Sequence, residues 1–381
     1  MPPLPIKSYD MEQRRLDFIQ ALRGIAALGV VICHARWFLH DTPNWDSANR
    51  YLIWGAGGVD LFFIISGFIM VYATRNFDGS PSYVRNFGIK RFAKIWPPYA
   101  VATIIWLLVG RGSGYLSEYH TNLIKSLLFI PFDSSRPLYL GSEQTTLSVG
   151  WTLNYEAYFY VAFGLSMLFK KLRWVVFSGW MLFFLIALPS IYDVGTLDPL
   201  AQMGFRSSYL SMMTNPIIWN FLIGVILGHF YLTEKLPLPR PLAWSIALLA
   251  LTICLWGYVG NFWAVDGIKG WGGYSAALVL GLAVLAKTEN LRVPRVLVTL
   301  GNMSFTLYLT HEIAFNLVLR AYSAVGQREQ VHTWAASVLA VGVSLSLAIA
   351  VSGLLENRLH DLALRVLSRR NRMPNVLTHQ S

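Results

Sequence analysis

Two side chains that are costly in an apolar helix occur in the first apolar stretch of the chain, RRLDFIQALRGIAALGVVICHARW. Arg23 and His34 are eleven residues apart, which at about 100° per residue amounts to about three helical turns plus 20°. The two side chains therefore share one helix face and lie about 16 Å apart along the axis. A guanidinium and a titratable imidazole are expensive in a membrane span unless they line a polar cavity, so this face predicts a functional track.

A carboxylate with a matching predicted depth is found in the stretch GWTLNYEAYFY. If this helix enters the membrane from outside at Gly150, Glu156 lies about 9 Å further in, in the same outer third as His34. A carboxylate beside an imidazole sets its tautomer and stabilises its protonated form, which a general base acting on a hydroxyl requires. We therefore predict that His34 and Glu156 are catalytic. The alternative is a buried ion pair that only holds two helices together.

A second intramembrane carboxylate, Asp60, lies in GGVDLFFIISGFIM. A carboxylate at that depth needs a partner or water, and His34 or Arg36 at a similar depth is the expected partner. Ser66 and Gly67 interrupt the large side chains halfway along the same stretch. They either allow two helices to approach closely, which we favour, or add to a polar lining.

A basic pair precedes two prolines in KRFAKIWPPY. Arg91 and Lys94 are three residues apart, so they are neighbours on one helix face, and Lys90 lies next to them. Pro97 and Pro98 are expected to break or bend the helix. The arrangement predicts a phosphate-binding clamp at the cytoplasmic end of the span. Ordinary positive-inside anchoring is the equally weighted alternative.

The remaining titratable groups give weaker signals. His311 and Glu312 fall near the middle of a late span, LGNMSFTLYLTHEIAFN, where they either line the same cavity or serve packing. The other histidines have no spacing typical of a metal site, and no metal is predicted. Cys33 and Cys254 lie in apolar stretches, so neither a disulfide framework nor a cysteine metal site is indicated. A Cys33 nucleophile is disfavoured because adjacent residues point about 100° apart on a helix.

These residues must be positioned by apolar helices. The chain of 381 residues is 55% hydrophobic and 13% charged, with a mean hydropathy of +0.46. This composition predicts an all-α, polytopic transmembrane helical bundle. Apolar runs of about 17 to 25 residues give ten predicted spans: 18–38, 52–74, 92–110, 150–169, 174–192, 214–232, 242–259, 271–287, 299–320 and 333–355.

The orientation follows from the basic residues. Most of the 31 lysines and arginines fall in connections on one side of the membrane, which predicts that both termini are cytoplasmic. Residues 1–358 then form the transmembrane domain, with a long periplasmic loop at 111–149, and residues 359–381 form a basic cytoplasmic tail. The net charge of +11 describes a basic face against anionic membrane lipid, with charge left for an anionic ligand, and predicts no nucleic-acid partner.

The same stretches resemble the acyltransferase 3 family of integral membrane O-acyltransferases over nearly the whole chain. The motifs are Arg-x10-His in span one, GVDLFFIISGF in span two, the basic pair before WPPY, WTLNYE in span four and SFTLYLTH near the end. The segment GWTLNYEAYFY is most similar to the exopolysaccharide-production branch. Lys94 departs from the family pattern of two arginines three apart, and it supplies a charge without a bidentate fork.

The resemblance implies transfer of an acyl group, usually acetyl, from cytoplasmic acyl-CoA to a sugar hydroxyl of a surface polysaccharide or lipid-linked glycan. The acceptor is expected on the periplasmic side of a bacterial inner membrane. His34 is then the base or the acyl acceptor, and Glu156 orients it. The acetyl-CoA donor is expected at Arg23, Arg91 and Lys94. The other expected contacts with substrate or channel are Asp60, Ser66, Trp151, Asn154, Tyr155 and His311.

Two other functions are compatible with the same residues. A transporter or flippase of a polysaccharide precursor would use the buried ionisable groups to relay protons. A non-catalytic membrane subunit of a polysaccharide export complex would use the basic inner face for docking. The sequence contains no pair of corresponding halves, which argues against the transporter.

Overall fold

The computed structural model describes residues 16–110, 120–132, 145–233 and 238–369. These residues form helices, turns and loops and contain no β-strand, as the all-α prediction requires. The helices of the first half are α1 Asp17–Ala35, α2 Trp45–Leu52, α3 Gly58–Ala73, α4 Pro81–Gly110, α5 His120–Leu127, α6 Trp151–Met167, α7 Arg173–Leu182 and α8 Leu188–Ile191. Those of the second half are α9 Ser208–Met213, α10 Ile218–Leu232, α11 Arg240–Val259, α12 Trp271–Thr288, α13 Arg295–Asn302, α14 Ser304–Ala324, α15 Trp334–Ser352 and α16 Leu359–Arg369.

The membrane-protein class is borne out by these helices. Each of the ten predicted spans overlaps at least one helix. The span 174–192 covers α7 and α8, joined by one π-helical turn, the span 299–320 covers the end of α13 and most of α14, and the span 214–232 begins in a turn before α10. Within the described residues, seven helical runs are long and apolar enough to cross a membrane. They contain α1, α3, α4, α7, α11, α12 and α15. Of the other three, α6 and α10 have only 17 and 15 residues, and α14 carries His311 and Glu312.

Helix α1 lies at the centre of the bundle and packs against α3, α13, α14 and α15. Most of its residues are buried, although the helix carries an arginine and a histidine. A small residue permits the closest of these contacts: a Cβ at Gly24 would lie 2.7 Å from the backbone nitrogen of Gly301. The central position of α1 therefore places Arg23 and His34 inside the protein, away from lipid.

Helices α3 and α10 form another close pair. A Cβ at Gly67 would lie 2.1 Å from the carbonyl oxygen of Phe221, and one at Gly224 would lie 1.9 Å from that of Ile64. Glycines on both helices thus let the two backbones touch. The packing interpretation of the Ser66-Gly67 step is correct for Gly67.

Helix α4 is continuous over 30 residues even though Pro97 and Pro98 lie inside it. Of the predicted break or bend at the prolines, the break is therefore wrong. Each proline removes only one backbone hydrogen bond, to the carbonyl groups of Ala93 and Lys94. The packing of α4 against α6, α14 and α16 holds the rest of the helix in place.

Part of the connection 111–149, predicted as a periplasmic loop, folds into the bundle. In its described residues, α5 lies against α4: Trp96 donates to the carbonyl of Leu127 at 2.9 Å, and the Tyr99 and Ser126 hydroxyls are 2.6 Å apart. The segment 145–150 is almost wholly buried. Helix α6 consequently begins within the protein interior.

The predicted cytoplasmic tail begins as α16, which packs against α4. Residues 370–381 of that tail lie outside the described residues. The contact brings His360 next to the basic half of α4, where it lines two cavities. The described part of the tail therefore belongs to the walls of the bundle.

Candidate active site

Two adjoining cavities lie between α1, α4 and α14. The inner one has a volume of about 180 Å³ and the outer one about 570 Å³. Both are lined by Gln20, Arg23, Lys94 and Phe305, so the same side chains form the boundary between them. The inner cavity continues past Arg91 as far as Tyr308. Together we call these two spaces the cationic cavity.

A third space of about 420 Å³ meets the cationic cavity at Lys94. Its walls include Lys90, Arg91 and His360. Lys94 lines all three spaces, and its side chain is exposed to them. The pair predicted as a clamp, Arg91 and Lys94, thus lies together on one side of a single continuous opening.

The cations of this cavity outnumber its carboxylates. Within the described part of the chain, no ion pair involves Arg23, Arg91 or Lys94. Arg23 donates a hydrogen bond to the Gln20 side chain at 3.1 Å, and the guanidinium of Arg91 lies 5.1 Å from the ring centroid of Tyr160. The two carboxylates of the cavity, Glu156 and Glu356, leave it with a net positive charge, which favours an anionic ligand.

The carboxylate of Glu156 also lines the inner cavity. It accepts a hydrogen bond of 2.5 Å from the Tyr160 hydroxyl, one helical turn further along α6. Glu156 therefore belongs to the cationic cavity, where its negative charge partly offsets those of Arg23 and Lys94.

His34 is hydrogen-bonded to a second histidine. Its Nδ1 lies 2.9 Å from Nε2 of His311, and Nδ1 of His311 lies 2.8 Å from the carbonyl oxygen of Tyr308. Side-chain atoms of His34, His311 and Glu312 all lie within 4.8 Å of one another. Glu312 in turn accepts a hydrogen bond from Ser148. We call His34, His311 and Glu312 the imidazole cluster.

The predicted contact between His34 and Glu156 is wrong, because the carboxylate beside the imidazoles belongs to Glu312. The reason is the depth of α6. Ser148, just before this helix, bonds to Glu312, so α6 starts at the level of the imidazole cluster. Glu156, about 9 Å further along the helix, then lies level with Lys94 in the cationic cavity.

Tyr308 separates the two regions. Its ring lines the inner cavity, and its centroid is 6.1 Å from that of His311. Its hydroxyl is 2.9 Å from that of Thr152 and 3.1 Å from the carbonyl oxygen of Val149. A group that passes from the cationic cavity to His34 must therefore pass this tyrosine.

Asp60 is located elsewhere and does not contact His34 or Arg36. It is fully buried, where it accepts hydrogen bonds from the Asn220 side chain at 2.5 Å and from the Gly267 backbone at 2.7 Å. The expected partners are thus wrong. An amide from α10 and a loop N–H replace them because α3 packs closely on α10.

The other expected lining residues lie in different surroundings. Ser66 lines the inner cavity. Trp151 and Tyr155 pack with aromatic side chains of the hydrophobic core, including Phe63, and line none of the cavities described above. Asn154 is buried with both of its side-chain polar atoms unpartnered in the described structure.

Several residues of the two regions were not singled out from the sequence. Gln20 and Tyr160 are three and four residues from Arg23 and Glu156 on their helices, and such neighbours could have been inferred from helical spacing. The role of Ser148 could not be inferred in this way, because its contact with Glu312 joins residues 164 positions apart.

Comparison with known proteins agrees with the helical membrane architecture and identifies the family of the chain. Residues 16–353 match the acyltransferase domain of the acyltransferase 3 family. This chain belongs to that family. The match includes the imidazole cluster and the cationic cavity, apart from the cavity residues beyond position 353, which are Glu356, Asn357 and His360.

Several curated relatives align along most of their length. The chain is 30% identical to the exopolysaccharide production protein ExoZ of Rhizobium meliloti over 289 residues, or 74% of this chain and 83% of the relative. It is 24% identical to the acyltransferase MdmB of Streptomyces mycarofaciens, with 93% of each chain covered. It is 26% identical to nodulation protein 10 of Rhizobium leguminosarum bv. viciae, with 92% of this chain and 94% of the relative covered. No solved structure matches the chain. The protein is therefore an acyltransferase of the membrane.

Proposed function

We propose that this acyltransferase 3 protein is an O-acetyltransferase of the bacterial inner membrane that moves acetyl from cytoplasmic acyl-CoA to a sugar hydroxyl on the periplasmic side. The proposal includes ten spans with both termini in the cytoplasm, and the acceptor is a surface polysaccharide or its lipid-linked precursor. The name of the relative ExoZ, an exopolysaccharide production protein, supports the acceptor class. The basic residues of the inner connections support the orientation.

The observation that carries the donor assignment is the cationic cavity. Arg23, Arg91 and Lys94 line it without an ion pair in the described structure. The phosphates of a coenzyme A ester would supply the missing negative charge, with charge-assisted hydrogen bonds from the two guanidinium groups and the ammonium. The larger space, of about 570 Å³, adjoins one of about 180 Å³ that reaches Tyr308, which suits an extended chain that ends in a thioester.

His34 is the residue to which we assign the chemistry. In direct transfer, the acceptor oxygen forms a bond to the thioester carbon, the carbon–sulfur bond breaks, and His34 takes the hydroxyl proton. The proton then passes to the departing thiolate, so the imidazole returns to its starting state. In the covalent route, a nitrogen of His34 bonds to the thioester carbon and the carbon–sulfur bond breaks, so that the thiolate leaves. The acceptor oxygen then bonds to the acetyl carbon, the nitrogen–carbon bond breaks, and the hydroxyl proton passes to the thiolate.

Binding and turnover of acetyl-CoA by the purified, detergent-reconstituted protein test this function. Wild type and His34→Gln are expected to bind coenzyme A with similar affinity, because His34 does not line the cationic cavity. Hydrolysis or transfer of acetyl should fall by about 100-fold or more in the variant. Failure of the folded wild type to bind coenzyme A would contradict the donor assignment.

A second measurement separates the enzyme from the transporter and the export subunit. In cells, His34→Gln should abolish acetylation of the glycan while the glycan is still exported. Loss of export would instead indicate a transporter, and an unchanged, acetylated glycan would indicate a subunit without catalysis. Trapping of labelled acetyl on the protein without acceptor would identify the covalent route.

A further inference from the structure

The hydrogen bonds of His311 determine which of its nitrogen atoms carries a proton. Its Nδ1 lies 2.8 Å from the carbonyl oxygen of Tyr308. A carbonyl oxygen only accepts hydrogen bonds, so Nδ1 of His311 must be the donor. In a neutral imidazole the other nitrogen is then an acceptor. Nε2 of His311 therefore presents a lone pair to His34.

The same argument passes to His34. Nε2 of His311 lies 2.9 Å from Nδ1 of His34. Because the first atom accepts, the second donates, so the proton of neutral His34 is on Nδ1 and its lone pair is on Nε2. His34 is half-buried, and its Nε2 has no hydrogen-bond partner in the described residues. Nε2 is thus the atom available for a substrate.

We propose that His311 is a positioning residue for His34, which fixes the imidazole with its basic Nε2 towards the substrate and shares its positive charge. The proposal rests on the proposed function, in which His34 takes a hydroxyl proton. When the O–H bond breaks and the Nε2–H bond of His34 forms, the Nδ1 proton can move across the 2.9 Å contact to Nε2 of His311. The reverse movement accompanies release of the proton to the thiolate.

The charged groups around the pair suit a site that becomes cationic for a short time. Glu312 follows His311 on α14 and brings a carboxylate within 4.8 Å of both imidazoles. Its orientation is held by Ser148. Arg36 faces His34 from the end of α1, but it is held by hydrogen bonds to Asn49 and to the backbone carbonyl of Cys33. Glu312 is therefore the group that compensates the charge of an imidazolium, whereas Arg36 carries a like charge.

Other elements packed around the pair contribute few titratable groups. Helix α15 and the segment 145–150 contain none, and the outer half of α4 contains only Tyr99, whose hydroxyl lies 2.6 Å from that of Ser126. From α1, the Cys33 thiol is buried next to Arg36. From α3, Asp60 is bonded to Asn220 and to the loop before α12. Glu312 and Arg36 are thus the charges expected to influence protonation of the pair.

The tautomer can be read without any enzymatic turnover. Nitrogen chemical shifts of ¹⁵N-histidine-labelled protein, assigned with His34→Gln and His311→Gln, should show a protonated Nδ1 and an unprotonated Nε2 for His34 at neutral pH. A His34 signal with the proton on Nε2 would overturn the proposal. The tautomer is read in the wild-type protein, with the variants used only for assignment, so the result does not depend on turnover or on coenzyme A as the donor.

The kinetic test uses His311→Gln beside Thr310→Val, with acetyl-CoA and water as the acceptor. Thr310 is the matched control because it is buried next to His311 but donates only to the Thr306 carbonyl of its own helix. We expect His311→Gln to lower kcat about 100-fold and to shift the pH–rate profile, with coenzyme A affinity within twofold. Thr310→Val should change none of these by more than twofold.

Three results would overturn the role of His311. An unchanged pH–rate profile in His311→Gln would mean that it does not share the proton of His34. An equal loss in Thr310→Val would mean that the helix, not the imidazole, matters. One equivalent of bound zinc in the purified wild type, absent from His311→Gln, would make the cluster a metal site. A wild type that shows the expected tautomer but binds no coenzyme A would contradict the proposed function alone.

Discussion

The cationic cavity and the imidazole cluster lie on opposite sides of Tyr308 and differ in how their polar groups are satisfied. Arg23, Arg91 and Lys94 have no ion pair in the described structure and line open space. His34 and His311 bond to each other, and a carboxylate lies beside them. Unpaired charge in a cavity is typical of a binding site for a charged ligand, whereas a paired imidazole with one unused nitrogen is typical of proton transfer.

This difference indicates a division of labour along the axis of α1. The helix carries one residue of each region, Arg23 and His34, and both side chains face α14. In the proposed function, binding energy is supplied at the Arg23 end and chemistry at the His34 end, with Tyr308 between them. Substitutions in the cavity should therefore change affinity, and substitutions in the cluster should change the rate of the chemical step.

The largest effect on the cationic cavity is expected from Arg91→Ala combined with Lys94→Ala, and it tests the difference between the two regions most directly. Removal of two charge-assisted contacts should weaken coenzyme A binding by about 3 kcal/mol, or about 100-fold, with little change in turnover at saturation. Equilibrium binding and steady-state kinetics measure the two quantities. Arg85→Ala is the control, because this residue is exposed on the same helix and lines none of the cavities described above. A loss of turnover at saturation would contradict the division.

Asp60→Ala should affect neither region and should instead reduce stability. It leaves the Asn220 amide and the Gly267 N–H without their buried acceptor, which costs about 2 kcal/mol of the free energy of unfolding. Thermal unfolding in detergent measures the loss. Asp60→Asn keeps one acceptor and should lose less. A large drop in coenzyme A affinity at full stability would show that Asp60 belongs to the cavity after all.

A single substitution should increase the affinity of the cationic cavity for coenzyme A. Lys94→Arg introduces a second planar fork three residues from Arg91, so coenzyme A should bind about tenfold more tightly, a change of about 1.4 kcal/mol. Titration of the purified variant against wild type checks this expectation. Weaker binding would mean that the ammonium is held in a space too narrow for a guanidinium.

The smallest expected effect distinguishes the two carboxylates. Glu156→Gln removes the negative charge from the cationic cavity, so coenzyme A should bind about threefold more tightly, with an unchanged pH–rate profile. Its control is Glu312→Gln, which should alter the pH–rate profile. A 100-fold loss of rate with a shifted profile in Glu156→Gln would instead support the pairing of Glu156 with His34 that was expected from the sequence.

The helices themselves could be predicted because their signals are local. Each of the ten apolar runs is helical, since a hydrophobic stretch of this length determines its own conformation in lipid. The shared face of Arg23 and His34 follows from helical geometry alone and agrees with their contacts to α14. The sequence left open a break or a bend at Pro97 and Pro98, and α4 is continuous there because packing against neighbouring helices overrides the local preference.

The partners of the polar residues could be predicted only in part. The common location of Arg91 and Lys94 in one cavity could be predicted, because they lie three positions apart on one helix. The pairing of His34 with Glu156 was not, because it assumed that α6 starts at the membrane surface. Segment 145–150 is buried inside the bundle, so α6 begins deeper than expected. Glu312, and not Glu156, is then the carboxylate beside His34.

The sequence by itself determined the membrane class, the helices and the faces on which Arg23, His34, Arg91 and Lys94 lie, because composition and helical periodicity depend only on neighbouring residues. Tertiary structure decided how deep each helix sits and therefore which polar groups meet. The contact between His34 and His311 joins residues 277 positions apart. Such a contact depends on how whole helices are packed, which no local pattern specifies.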